Sequence, residues 1–122
     1  MRIDKLIKTA VAALEDVKAR DIVVLDVKKM TSLFDKVIIA SADSTRQSKA
    51  LASRVQEKVK ALGARVYGVE GEQAGEWILV DLGGVIVHIM QPATRQYYNL
   101  EELWAPVKPA RRRRPRGART AA

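Results

Sequence analysis

The fold is decided by residues 76–104, which read EWILVDLGGVIVHIMQPATRQYYNLEELW. Two β runs flank Gly83-Gly84, and a Gly-Gly pair accepts the positive φ angles of a two-residue hairpin turn. With that turn, counting outward predicts the pairs Leu82–Val85, Asp81–Ile86, Val80–Val87, Leu79–His88, Ile78–Ile89 and Trp77–Met90. Pro92 then opens a short helix to Tyr98, and a further helical turn follows over residues 100–104.

Side chains alternate across a strand, so the predicted hairpin has two distinct faces. One face is wholly aliphatic and is predicted to be core; it carries Ile78, Val80, Leu82, Val85, Val87 and Ile89. The other, which we call the mixed face, carries Trp77, Leu79, Asp81, Ile86, His88 and Met90. Large apolar groups with a few polar ones suit a docking surface. They equally suit a sheet face that a helix of the same chain covers.

The remaining elements are read from apolar periodicity. They are an amphipathic helix over residues 3–20, a strand from Asp21 to near Asp26, a strand over residues 36–40, a helix to about Leu62 and a strand over residues 65–69. Both early strands are expected to lie centrally in the sheet. Strand-helix-strand stretches imply parallel pairing and the hairpin is antiparallel, so we predict an α/β fold with one mixed sheet of about five strands and packed helices.

The second helix is preceded by the segment SADSTRQ, residues 41–47. Ser41, Asp43 and Ser44 are all candidate N-caps for this helix. A helix that starts directly after a strand can also bind an anion through its free N–H groups, with help from Arg46. Capping and anion binding are therefore the two interpretations of this segment.

Charge is concentrated at the C-terminus. Residues 105–122 hold seven of the 22 basic side chains and no acidic one, which leaves 15 basic and 14 acidic side chains in residues 1–104. We therefore assign a domain to residues 1–104 and a disordered arginine-rich tail to residues 105–122. Its four consecutive arginines (Arg111, Arg112, Arg113 and Arg114) either contact RNA phosphates or form part of a solvated extension.

Composition limits the compartment and the chemistry. The chain has no cysteine, so it can form neither disulfides nor thiolate metal sites, which fits a reducing cytosol. No apolar run reaches the length of a membrane span. We expect a cytoplasmic protein that uses no cofactor and does not bind a membrane.

The sequence offers little support for an active site. Glu70 and Glu72 are the one pair of alternating acidic residues, and they lie in a glycine-flanked loop rather than on a strand. The glycines match no phosphate-binding loop. His88 and Asp81 are diagonal neighbours that could form a hydrogen bond, but no nucleophile motif accompanies them. We therefore predict a protein that is not an enzyme and binds no metal.

Several separate motifs resemble those of the Iojap-related ribosomal silencing factors. They are SADSTRQ (residues 41–47), Glu70-Gly71, GEWILVDLG (residues 75–83), Val87-His88 and RQYYNLEELW (residues 95–104), in the same order and spacing over residues 3–104. The resemblance implies a fold similar to nucleotidyltransferases without their catalytic carboxylates. It also implies binding to ribosomal protein fourteen of the large subunit, which blocks subunit joining sterically and represses translation.

Combined with the mixed face, the resemblance predicts the contact residues. Apolar anchors would be Trp77, Leu79 and Met90; Asp81 and His88 would orient the partner; and Tyr97 and Tyr98 would extend the surface. At least one tyrosine is expected to pack into the core, and Trp104 to pin the last helix to the sheet. The protein is expected to be a monomer on the ribosome, with homodimerisation through the same face as an alternative when free. The competing function, a nucleotide-binding or nucleotidyl-transferring enzyme, rests on fold analogy alone.

Overall fold

The computed structural model describes residues 2–104, and for Trp104 it describes the backbone. The arginine-rich tail and the predicted packing of the Trp104 side chain lie outside the described residues. Among the helices of residues 2–104, none is long and apolar enough to cross a membrane. The elements are α1 Ile3–Asp16, β1 Arg20–Asp26, β2 Lys36–Ser41, α2 Thr45–Ala61, β3 Gly68–Glu70, β4 Trp77–Asp81, β5 Val85–Met90, α3 Pro92–Tyr98 and α4 Leu100–Trp104.

The strands form one five-stranded sheet in the order β1-β2-β5-β4-β3. Strands β2 and β5 pair in parallel, and the other neighbours are antiparallel. The predicted mixed α/β sheet is therefore confirmed. The hairpin register is also confirmed, from Trp77 opposite Met90 to Asp81 opposite Ile86. At the turn, Gly83 has a φ of +90°, and the Leu82 N–H donates to the Val85 carbonyl at 2.9 Å.

Three sequence predictions need correction. Strand β1 is an edge strand with an exposed or half-buried pattern, because its β-branched run has a neighbour on one side alone. Strand β3 begins at Gly68 rather than at residue 65, since its register with β4 begins at the pair Gly68–Asp81. Helix α1 ends at Asp16 rather than near residue 20, because Lys18 takes a positive φ of 66°.

The aliphatic face of the hairpin is core, as predicted. Helices α1 and α2 pack together on it and bury the six aliphatic hairpin residues with Ile38 and Ala40 of β2. The amphipathic stripe of α2 contributes Leu51, Ala52, Val55 and Val59 to this layer. The chain's own helices therefore cover the aliphatic face of the hairpin and of β2.

The mixed face is covered in part. A second cluster joins Met90 to Val37 and Ile39 of β2, to Val27 and to Leu100 of α4, with Leu25, Phe34 and Trp77 packed against it. The internal-contact interpretation therefore holds for part of this face, and the docking interpretation stays a prediction for the rest. Helix α4 and the segment after β1 cover the β2 side, and the β4 side keeps half-exposed residues.

The segment before α2 is used for internal hydrogen bonds. Ser44 is the N-cap and accepts the Gln47 N–H at 3.0 Å. The Gln47 amide donates to the carbonyls of Val17 and Lys18, both at 3.0 Å, and so ties the end of α1 to the start of α2. The capping interpretation is confirmed. The same end of α2 is fixed to the hairpin, since the buried Ser48 hydroxyl donates to the Gly75 carbonyl at 2.6 Å.

Candidate docking site

Trp77 joins the two strands of the hairpin through its side chain. Its indole Nε1–H donates to Nδ1 of His88 at 2.9 Å, and the two ring centroids are 5.8 Å apart. Residues 77 and 88 are diagonal neighbours on antiparallel strands, and such neighbours lie within reach of aromatic side chains. The indole is half-buried, so this bond fixes its orientation while part of its surface stays open to a partner.

Two tyrosines from α3 extend the surface of Trp77. The Tyr98 ring centroid lies 4.8 Å from that of Trp77, and Tyr97 packs edge-on against Tyr98 at 4.9 Å. Tyr97 is 81% exposed and Tyr98 is 53% exposed. We call Trp77, His88, Tyr97 and Tyr98 the Trp77 patch. It is a continuous set of aromatic rings that begins in the sheet and ends in solvent.

His88 is neutral at physiological pH. Burial lowers the pKa of His88 from its ordinary value of 6.5 to about 4. A proton on Nδ1 would also displace the indole N–H, so the patch is assembled with the uncharged imidazole. This gives the chain's single histidine a structural role in holding Trp77.

Arg95 is a positioning residue that the sequence analysis missed. Its guanidinium is buried and binds both carboxylate oxygens of Glu101, each at 2.9 Å. The same group donates to the Asp21 carbonyl at 2.7 Å and to the Ser41 hydroxyl at 2.8 Å. Arg95 therefore ties α3 to α4, β1 and β2, and its hydrogen bonds to Glu101 lower the pKa of that carboxyl below its ordinary value.

The sequence contains one signal that could have located Arg95. Asn99 adopts the left-handed conformation, with a φ of 47°, and ends α3. Asparagine tolerates this conformation better than most residues, so the chain can reverse there. The reversal brings Glu101 back to Arg95 across six residues, a spacing that helical periodicity excludes.

The predicted contact residues differ in how exposed they are and in what they bond to. Leu79 lies opposite His88 on the neighbouring strand and is half-exposed. Asp81 lies nearer the turn, where its carboxylate accepts the Gly83 N–H at 2.8 Å rather than a proton from His88. Met90 is fully buried, so its assignment as an exposed anchor was wrong. Neither tyrosine is buried, which corrects the expectation that one would pack into the core.

Met90 is buried for a physical reason. It pairs with Trp77 in the register but lies beside the parallel neighbour β2 on its other side. Leu100 and Ile39 join it in one cluster, because α4 folds back over this end of the sheet. Met90 thus supports the Trp77 patch from within the core.

Within residues 2–104, no group of three or more His, Cys, Asp or Glu side chains could hold an ion. Glu70 ends β3 and Glu72 lies exposed in the loop that follows.

Known proteins share both the sequence and this fold. A family model described as "Ribosomal silencing factor during starvation" matches residues 1–121. Ribosomal silencing factor RsfS of Chromobacterium violaceum is 52% identical over 110 residues, which are 90% of this chain and 90% of that protein. A crystal structure of a protein from the same organism has a TM-score of 0.85 and 52% identity, covering 90% of this chain and 92% of its own. Mouse "Mitochondrial assembly of ribosomal large subunit protein 1" is 36% identical over 97 residues, 77% of this chain and 42% of that protein.

The fold and the patch define a small α/β domain whose described residues present an aromatic surface at one end of a mixed sheet. The chain belongs to the ribosomal silencing factor family. This agrees with the resemblance of its hairpin and C-terminal motifs.

Proposed function

We propose that the protein represses translation by binding the large ribosomal subunit through the Trp77 patch and blocking its association with the small subunit. The observation that carries this proposal is the chain of aromatic contacts from half-buried Trp77 to exposed Tyr98 and Tyr97. Aromatic residues that are fixed at one edge and open at the other are typical anchors of protein interfaces. The family membership and the name of the mouse relative support the large subunit as the partner.

Within the subunit, we propose ribosomal protein fourteen as the docking partner. Half-exposed Leu79 lies beside the aromatic rings on the same face of the hairpin, so the proposed contact surface has an apolar centre. Tyr97 is exposed, as is Glu102, whose carboxylate accepts from the side chain of Asn99 next to Tyr98. A bound domain on the face that meets the small subunit would exclude that subunit sterically, and this mechanism needs no catalytic group. Such a factor would act in the cytoplasm.

Cosedimentation with purified large and small subunits tests the proposal. The whole chain should sediment with large subunits and not with small ones. Tyr98→Ala and Trp77→Ala should each lose more than about 1 kcal/mol of binding free energy, as central aromatic anchors do. Tyr98→Ala is the sharper variant, because the exposed Tyr98 ring can be removed without leaving His88 unpaired.

Val24→Ala is the matched control for these variants. Val24 is an exposed apolar residue on edge strand β1, away from the Trp77 patch, so its loss should leave large-subunit binding unchanged. Folded Tyr98→Ala and Trp77→Ala proteins that bind like the wild type would contradict the docking assignment. Binding to isolated ribosomal protein fourteen, measured with the same variants, identifies the partner within the subunit.

Two further measurements separate the alternatives. A second copy of this chain could cover the Trp77 patch in free protein, and then Tyr98→Ala would shift a dimer to monomer in analytical ultracentrifugation. A nucleotide-binding enzyme would instead bind ATP with Mg²⁺, which our proposal does not require. Binding of ATP in the absence of any subunit binding would favour that alternative.

A further inference from the structure

The Gly83-Gly84 end of the sheet, which we call the turn end, lies opposite the Trp77 end of the hairpin. Both main helices reach it, since Ile3 of α1 lies beside Gly84 and α2 finishes at Ala61, shortly before Tyr67. The Tyr67 N–H donates to the Asp81 carbonyl at 2.8 Å. The segment between β1 and β2 also returns here, because the Asp35 N–H donates to the Gly84 carbonyl.

The domain is almost neutral in total but its charge is polarised along the sheet. The segments nearest the turn end are residues 2–5, 26–36, 57–65 and 81–84. They hold eight basic side chains: Arg2, Lys5, Lys28, Lys29, Lys36, Lys58, Lys60 and Arg65. They hold five acidic ones: Asp4, Asp26, Asp35, Glu57 and Asp81. Glu57 pairs with Arg54 of the same helix. Asp26 pairs with Lys36 at 3.1 Å, and Asp81 accepts the Gly83 N–H. The remaining basic side chains there favour an anionic partner.

The opposite end has the reverse balance. Its acidic side chains are Glu15, Asp16, Asp21, Asp43, Glu72, Glu76, Glu101 and Glu102, against the basic side chains Lys18, Arg20, Arg46, Lys49 and Arg95. Two of these basic groups are held in ion pairs, Arg20 with Asp43 and Arg95 with Glu101. An anionic polymer is therefore repelled from the Trp77 end and attracted to the turn end.

Besides its charge, the turn end has an exposed aromatic ring, that of Tyr67. Its ring lies on the hairpin turn, where a Cβ added to Gly83 would stand 2.8 Å from the Tyr67 Cε1 atom. The side chain is nevertheless 59% exposed. The guanidinium of exposed Arg65 lies over the ring at 4.9 Å from its centroid, so the cation and the ring form one stack. Nucleic-acid bases stack on tyrosine rings and on guanidinium planes.

We propose that the turn end binds single-stranded RNA, with bases stacked on Tyr67 and Arg65 and phosphates held by Lys58 and Lys60. Residues 58–69 contain three basic side chains and no acidic one. Both lysines lie exposed in the last turn of α2. An acidic protein segment would meet the same charges but would gain nothing from the exposed ring. RNA satisfies both features, and this binding is independent of what the Trp77 patch contacts.

Fluorescence anisotropy with a labelled oligouridine and the full chain tests this without ribosomes. Tyr67→Ala should weaken binding about 5- to 150-fold, which corresponds to the loss of one base stacked on an aromatic ring, and Tyr67→Phe should bind like the wild type. Lys60→Glu, at an exposed position where folding is not at risk, should weaken binding most at low salt and reduce its salt dependence. Tyr97→Ala removes an exposed tyrosine from the opposite end and should leave the affinity for oligouridine unchanged.

All of these variants retain the arginine-rich tail, so a contribution from the tail is common to them. Equal affinities for the wild type, Tyr67→Ala and Lys60→Glu would overturn the proposal and leave the tail as the source of RNA binding. A Tyr67→Ala effect that is as large on duplex RNA would also overturn it, because paired bases are not free to stack on a side chain. Neither outcome bears on large-subunit docking, which Tyr98→Ala reports.

Discussion

The bond between Trp77 and His88 couples surface recognition to the protein interior. An indole N–H buried without an acceptor would cost about 1–3 kcal/mol, and the neutral imidazole supplies that acceptor at 2.9 Å. His88 is 8% exposed, so its ring is held by the core around it. The orientation of the proposed anchor therefore depends on the protonation state of a residue that a partner would scarcely touch.

His88 should make stability depend on pH between about 6.5 and 4. Its pKa is about 4 in the folded protein and near 6.5 when the chain unfolds, so the unfolded state binds more protons in this window. Stability is complete above the unfolded value and falls as pH falls, by up to about 1.4 kcal/mol per pH unit and about 3 kcal/mol in total. Urea unfolding from pH 7 to pH 5 measures the slope.

His88→Gln is the matched control for this pH dependence. A glutamine side chain does not titrate, and its carbonyl oxygen can accept the Trp77 N–H. The variant should lose most of the slope between pH 7 and pH 5, where exposed carboxyls change charge little. An identical slope in both proteins would assign the pH dependence to groups other than histidine, since His88 is the chain's single histidine.

Arg95 shows where reasoning from residues alone reaches its limit. Its partners are Glu101, Ser41 and the Asp21 carbonyl, and the last two are more than fifty positions away. A motif can mark such an arginine as important, but it does not distinguish a surface contact from a buried clamp. The difference depends on how α3 crosses the ends of β1 and β2, which is a property of the assembled sheet.

At the scale of elements, prediction succeeded where local chemistry determined the geometry. The Gly83-Gly84 turn fixed the register of both strands, and Ser44 with Gly63 marked the ends of α2. The burial of Met90 could not be read in this way. Its alternation matched that of Trp77 and Leu79, yet β2 and α4 cover Met90 on the side away from β4. Strand order, which the sequence left open, decided which part of the mixed face stays accessible.

The loop before β4 should be intolerant of a side chain at Gly71. Its φ is +85°, and an added Cβ would lie 2.1 Å from the Trp77 carbonyl oxygen. Gly71→Ala therefore combines backbone strain with a clash against the residue that carries the proposed anchor, and should cost about 2–4 kcal/mol. Urea unfolding gives the free energy, and tryptophan fluorescence in a Trp104→Phe background, where Trp77 is the remaining tryptophan, reports the displacement.

Gly63→Ala separates the two contributions. Gly63 has a similar φ of +94°, but an added Cβ meets nothing within 4 Å. Its substitution should cost about 1 kcal/mol from backbone strain alone and leave the Trp77 emission unchanged. Equal costs at the two glycines would mean that the loop moves away from Trp77 without penalty.

Across the whole molecule, two surfaces lie at opposite ends of one rigid hairpin. The Trp77 patch has an apolar centre beside an acidic end, and the turn end is basic. The near-neutral total for residues 1–104 conceals this polarity. Folding brings basic side chains from distant segments of the chain together at one end of the sheet and acidic side chains together at the other. Composition can therefore indicate a basic tail but cannot reveal a basic end of a folded domain.

The tail should add a salt-dependent component to ribosome binding. It holds seven of the 22 basic side chains and no acidic one, and each phosphate contact releases counterions, so its contribution declines steeply with salt. Removing residues 106–122 should weaken large-subunit binding chiefly at low salt and reduce the slope of log affinity against log salt. Tyr98→Ala should instead lower affinity by a similar factor at every salt concentration, since it removes an uncharged contact. Unchanged affinity of the truncated protein at low salt would show that the arginines contact no RNA. If affinity depended on salt in the same way in Tyr98→Ala and in the protein without residues 106–122, Tyr98 and the tail would contribute through the same kind of force.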